Sequence, residues 1–103
     1  MADRSRHPWR TPEMEELFAT ISSLQGPEEL EAFLRDLCTF SELEAMAHRW
    51  QVAQLVDEGL SYVEIAKRTH ASTTTVTRVA HWLRHGEGGY RSALDRAAKT
   101  TAS

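Results

Sequence analysis

An all-α fold of about six short helices is what this sequence predicts, and three observations lead there. Every strong apolar periodicity in the chain is helical, with stripes recurring at i, i+3, i+4 and i+7. Helix starts and stops are marked at regular intervals by Thr11-Pro12, Gly26-Pro27, Ser41, Gly59, Ser61 and Ser72. And 103 residues, 41% of them hydrophobic and 26% charged, suit one ordinary globular domain with no room for a second. The expected organisation is a basic arm over 1–11, a helical domain over 12–98 and a disordered tail over 99–103.

In chain order, Leu17, Phe18, Ile21 and Leu24 lie on one face of a first helix spanning 13–25. Thr11 caps it, Pro12 takes the first helical position, and Glu13, Glu15 and Glu16 suit its positive end. Gly26-Pro27 ends that helix and opens the next, where Leu30, Phe33, Leu34 and Leu37 repeat the pattern. Both stripes are expected to be core. A third helix is expected to begin at an N-cap Ser41, with Glu44 completing a capping box, and to stop at Gly59. Its apolar residues (Leu43, Met46, Trp50, Val52, Ala53, Leu55 and Val56 among them) spread over more than one face, as in a central helix packed on two sides.

Residues 61–85, SYVEIAKRTHASTTTVTRVAHWLRH, carry the functional signal. Ser61 caps a short helix, with Glu64 three residues on and Ile65 and Ala66 facing inward. Thr69, His70 and Ala71 form a tight turn, and Ser72 caps a second helix. That helix sets Val76, Val79, Ala80 and Leu83 on one side and Thr74, Thr75, Thr77, Arg78 and His81 on the other. Two helices of these lengths joined by so short a turn have the geometry of a helix-turn-helix. Threonine hydroxyls can bond phosphates or base edges, their methyls can meet the thymine methyl, and Arg78 can reach a phosphate or a guanine. Three consecutive threonines are poor helix formers, so propensity gives no reason for them.

Charge agrees. The net charge is −3, but residues 13–58 hold the acidic excess, while 61–86 (Lys67, Arg68, Arg78, Arg84) and the arm (Arg4, Arg6, Arg10) are basic. An acidic body with a basic segment is compatible with double-stranded DNA as partner. No apolar run approaches the ~20 residues of a membrane helix. The polar start MADRSRHPWR has no signal-peptide core, and the single Cys38 makes no internal disulfide. A cytoplasmic protein is therefore expected. There is no Gly-rich phosphate loop and no nucleophile with an evident base, so no enzyme is expected, and no cofactor. His81 and His85 have metal-compatible i, i+4 spacing, yet no third ligand joins them in sequence, and no metal is expected.

The stretch CTFSELEAMAHRWQVAQLVDEGLSYVEIAKRTHASTTTVTRVAHWLRHGEGGY resembles the tryptophan-repressor superfamily, particularly its YerC/YecD-type branch. The likeness covers about residues 30–95 and lies in the order and spacing of SELEAMAHRW, EGLSYVEIA, STTTVTRV and GEGGY. It implies an intertwined homodimer and sequence-specific operator binding, with a repressor as the expected outcome. Carried over by position, the DNA contacts fall on Thr73, Thr74, Thr75, Thr77 and Arg78, beside the capping Ser72. Val63 and Ala66 stand where the first helix of the repressor touches DNA and can form no salt link, so Lys67 and Arg68 are expected to take the phosphates. His70 stands where such turns usually place glycine.

The same resemblance implies an effector pocket at Thr39, Arg49, Arg78, Val79 and Trp82. Arg49 and Arg78 match the two arginines that hold the indole of tryptophan. Val79 replaces a glycine and Trp82 a serine, and such added volume overfills a close-packed site. Tryptophan is accordingly not expected as corepressor, and Trp82 is expected to fill part of the vacated space, which leaves any small-molecule effector unknown. The residues also allow a different reading, a helical interaction module that binds protein through the acidic 13–58 face.

Overall fold

The computed structural model describes residues 8–102, so Arg4 and Arg6 of the expected arm lie outside the described residues. Six helices follow one another: α1 (Pro12–Ser23), α2 (Gly26–Leu37), α3 (Phe40–Asp57), α4 (Tyr62–Thr69), α5 (Thr73–His85) and α6 (Gly89–Ala102). Among the described residues there is no strand, and no helix is long and apolar enough to cross a membrane. The chain divides after Thr39 into two compact units, each described by itself.

In the amino-terminal unit, Thr11 caps α1 as expected, its hydroxyl accepting the Met14 N–H at 3.1 Å, with Pro12 in the first turn. Trp9 meets Phe18 edge-on at 6.2 Å, and the Arg10 guanidinium lies 5.9 Å from the Trp9 ring centre. α1 stops at Ser23, so Gly26, at φ +86°, belongs to the start of α2 rather than to the end of α1. The expectation that both stripes are core fails within a single chain. Neither helix holds a buried residue, and Phe18 and Leu37 are 44% and 51% exposed. An amphipathic helix needs a second apolar surface, and the periodicity of its own sequence does not supply one.

The carboxy-terminal unit holds the buried cluster. α3 begins at Phe40, one residue before the expected cap, so Ser41 sits inside the first turn. The residue ahead of the helix is Thr39, also a hydroxyl residue, and the serine pattern alone did not separate the two registers. The end of α3 is closed by Gly59 at φ +92°, with Gly59 N–H bonded to Val56 C=O at 3.0 Å and Leu60 N–H to Leu55 C=O at 3.3 Å. This double bond pattern is a Schellman close, which requires a left-handed residue and hence favours glycine. Val52 and Ala53 of α3, Ile65 of α4, and Val76 and Val79 of α5 form the core. Trp50, Leu55, Val56, Tyr62, Ala66 and Tyr90 pack around it. α3 thus packs against both α4 and α5, while Met46 remains 37% exposed.

Two polar devices hold this unit. The Thr69 side chain is buried; its hydroxyl donates to Ile65 C=O at 2.8 Å and accepts the Ala71 N–H at 3.1 Å. It clamps the turn in which His70 adopts φ 61°, ψ 14°, a left-handed conformation open to histidine at some cost. Arg91 of α6 binds Asp57 at the end of α3 in bidentate fashion, at 2.8 and 3.1 Å, and also reaches Asp95 at 3.0 Å. The hydrogen bonds from Arg91 hold the Asp57 carboxyl below its ordinary value, and the Arg91 guanidinium is raised in turn. α6 runs on through Ala102, so residues 99–102 of the expected tail are helical, and Ser103 lies outside the described residues. The run Arg96–Lys99, rich in good helix formers, gives no stop signal.

Thr69→Val should cost about 1–2 kcal/mol of stability by leaving the Ala71 N–H without its acceptor. Urea melts measure this, and amide exchange at Ala71 should quicken. For Asp57 the folded pKa is depressed, so its contribution is present above the ordinary value of 3.8 and disappears as pH falls through the lower folded value. The stability gap between wild type and Asp57→Asn should therefore be present at neutral pH and close in strong acid, which melts across the pH range will show.

Candidate nucleic-acid interface

The site is built on α4, the His70 turn and α5. Ser61 caps α4 by accepting the Glu64 N–H at 3.1 Å. The Glu64 side chain pairs with Arg68 at 3.1 Å on the surface. Ser72 caps α5 in the same way, accepting the Thr75 N–H at 3.1 Å, and donates its own proton to the Thr75 hydroxyl at 3.1 Å. Two serines therefore set where both helices start, and each does so through a local contact that the sequence announces.

Val76, Val79 and Ala80 are buried beneath α5. At about 100° per residue, the line directly opposite them runs through Thr74, Arg78, His81 and His85. All four are exposed. Thr73 and Thr74 are exposed in the first turn, where backbone N–H groups and the positive end of the helix favour an anion. The hydroxyls are not equivalent. Thr77 donates to the Thr73 carbonyl at 2.9 Å, so it faces any ligand as an acceptor. Thr75 accepts from Ser72 and keeps its own proton to donate. Lys67 is exposed, whereas Arg68 already shares its charge with Glu64. Val63 is 62% exposed and Ala66 half-buried against the core. Arg84 donates to the Tyr62 hydroxyl at 3.2 Å, tying the second half of α5 to the start of α4.

Between α3 and α5 lies an open cleft of about 390 Å³, lined by Ala45, His48, Arg49, His70, Ala71, Ser72, Thr75, Arg78 and Val79. It brings together Arg49, Arg78 and Val79 from the sequence-derived effector set. Trp82 does not line it. At ~1.5 Å per residue, Trp82 sits about 10 Å beyond Thr75 along the same side of α5. There it lines a separate shallow depression with Gly86, Glu87, Gly89 and Tyr90, and it is 58% exposed. The expectation that its indole fills the cleft is corrected accordingly. Thr39 lies in the other unit. Val79, only 2% exposed, belongs to the core and also lines the cleft, where a glycine would leave more room.

His48, His70 and the buried clamp Thr69 were not singled out as site residues from the sequence. A lone histidine on a central helix has no pattern to mark it. Thr69 reads as one more polar turn residue until its i−4 and i+2 partners are seen.

Comparison with known proteins places residues 12–98 on the model of the Trp repressor protein family. The uncharacterized protein YerC of Bacillus subtilis (strain 168) is 42% identical over 91 residues, 88% of each chain. A TrpR-like protein from Eubacterium eligens superposes with a TM-score of 0.82 at 35% identity, over 88% of this chain and 94% of that one. A candidate Trp repressor from Staphylococcus aureus gives 0.81 at 34% identity, over 95% and 96%.

Because the Ser72 oxygen accepts the Thr75 N–H in the first turn of α5, Ser72→Ala should lower stability by about 1 kcal/mol. Thr74→Ala, on the exposed ridge, should leave the melting curve within about 0.5 kcal/mol of wild type. Thermal and urea melts of the two variants side by side make the comparison.

Proposed function

Since the chain belongs to the Trp repressor protein family, we propose that it is a sequence-specific DNA-binding transcription regulator, a repressor that reads a palindromic operator as a homodimer in the cytoplasm. The observation that carries this is the ridge of α5. Thr74 and Arg78 project from the side opposite the buried valines, on a helix whose capped start leaves backbone donors for a phosphate. Thr73, Thr74, Thr75, Thr77 and Arg78 are the readers, and Lys67 is the phosphate contact, with Ser72 holding the helix start. Arg68 contributes less, because Glu64 neutralises part of its charge. The exposed stripes of α1 and α2 support the homodimer, since a second chain supplies the apolar surface they lack.

Tryptophan is not the corepressor in this reading, on narrower grounds than the sequence suggested. With Trp82 outside the cleft, the exclusion rests on Val79 in place of glycine. Any effector would meet Arg49, Arg78, His48 and His70, a lining with no carboxylate.

Selection of bound fragments from random DNA should return inverted half-sites about one helical turn, roughly 34–36 Å, apart. Arg78→Ala should weaken binding to the selected operator by about 1–3 kcal/mol while the oligomeric state stays unchanged. Lys67→Ala should weaken all sequences alike and lower the salt slope by about one. A protein-docking module on the acidic face would show neither effect. Calorimetry with L-tryptophan should give no saturable heat.

A further inference from the structure

α5 carries a feature that DNA reading does not use. His81 and His85 continue its outer ridge toward the carboxyl end, one turn apart and both exposed. Their rings stand 5.0 Å apart, centre to centre, tilted by 44°. Two imidazole nitrogens at about 2.0–2.1 Å from one ion in a near-tetrahedral arrangement put the ring centres about 5 Å apart. The ring separation thus matches what chelation needs, and both side chains are exposed and can turn a nitrogen toward a shared ion. The Trp82 ring meets His81 edge-on at 5.1 Å and 79°, which places an indole beside the pair.

We propose that His81 and His85 form a two-imidazole site for a borderline divalent ion of the zinc, nickel or copper(II) class. Imidazole suits these metals, whereas magnesium and calcium require oxygen. Among the described residues no third histidine, cysteine or carboxylate completes a cluster, so the bound ion keeps positions open to solvent oxygen. This makes the site weaker than a closed structural centre and leaves it accessible from outside. The ion would bridge i and i+4 across the last turns of α5 and add positive charge to the ridge that holds Arg78. The site stands or falls independently of the DNA reading.

The test uses the full chain, free of any histidine tag, titrated with copper(II) or zinc alone. Equilibrium dialysis should find one ion per chain. Copper(II) should quench tryptophan fluorescence to saturation at that ratio, and Trp82→Phe should remove most of the quenching without changing the stoichiometry. His81→Gln and His85→Gln should each weaken binding about tenfold or more, as loss of one of only two protein ligands demands. His48→Gln, in the α3–α5 cleft, should bind as wild type does. Circular dichroism checks that the exposed-site variants stay folded. Dialysis finding no stoichiometric ion, quenching that survives Trp82→Phe in full, or either ridge histidine variant binding like wild type overturns the proposal.

Discussion

What α5 can present depends on what clamps it from below. Val76 and Val79 of α5 meet Ile65 of α4 and Val52 and Ala53 of α3 in a cluster that is essentially closed to solvent. Burying a valine or isoleucine side chain is worth about 1.5–3 kcal/mol, against a whole-domain stability of about 5–15 kcal/mol. A few side chains therefore carry a large share of what fixes the rotation of α5 about its own axis. That rotation decides which residues face outward. With the valines down, Thr74, Arg78, His81 and His85 can only be up.

Polar side chains divide between holding and presenting. Ser61, Thr69 and Ser72 hold backbone groups at the starts of α4 and α5 and in the turn between them. Thr77 hands its proton to the preceding turn. Thr73 and Thr74 stay on the surface. The run of threonines is therefore not one functional block, because similar hydroxyls perform different tasks according to which backbone atoms lie within reach. Arg84 and Arg91 are likewise structural cations, one bound to Tyr62 and the other to Asp57.

The amino-terminal unit makes the opposite case. Thr11 caps α1 and both helices are amphipathic, yet nothing in them is buried. Small chains bury a limited fraction of their surface, and association is a common way to cover the remainder. Helix formation and helix burial are here decided separately, the first locally and the second by whatever the apolar stripe meets.

Local signals were legible in the residues themselves. Thr11, Ser61 and Ser72 as caps, the valine face of α5 and the short turn at His70 all follow from interactions within about four positions along the chain, which spacing encodes directly. The start of α3 was misplaced by two residues, since Thr39 and Ser41 both carry a hydroxyl and spacing alone does not choose between them. The Asp57–Arg91 pair joins residues 34 positions apart, the cleft gathers His48 with His70, and Trp82 lies beyond that cleft. None of these has a local signature. By itself, then, the sequence determined where the helices begin and which side of each is apolar, since those depend on near neighbours. Only the tertiary structure decided which distant side chains share a cleft, an ion pair or an open surface, because helix packing sets those distances and periodicity along one chain carries no information about them.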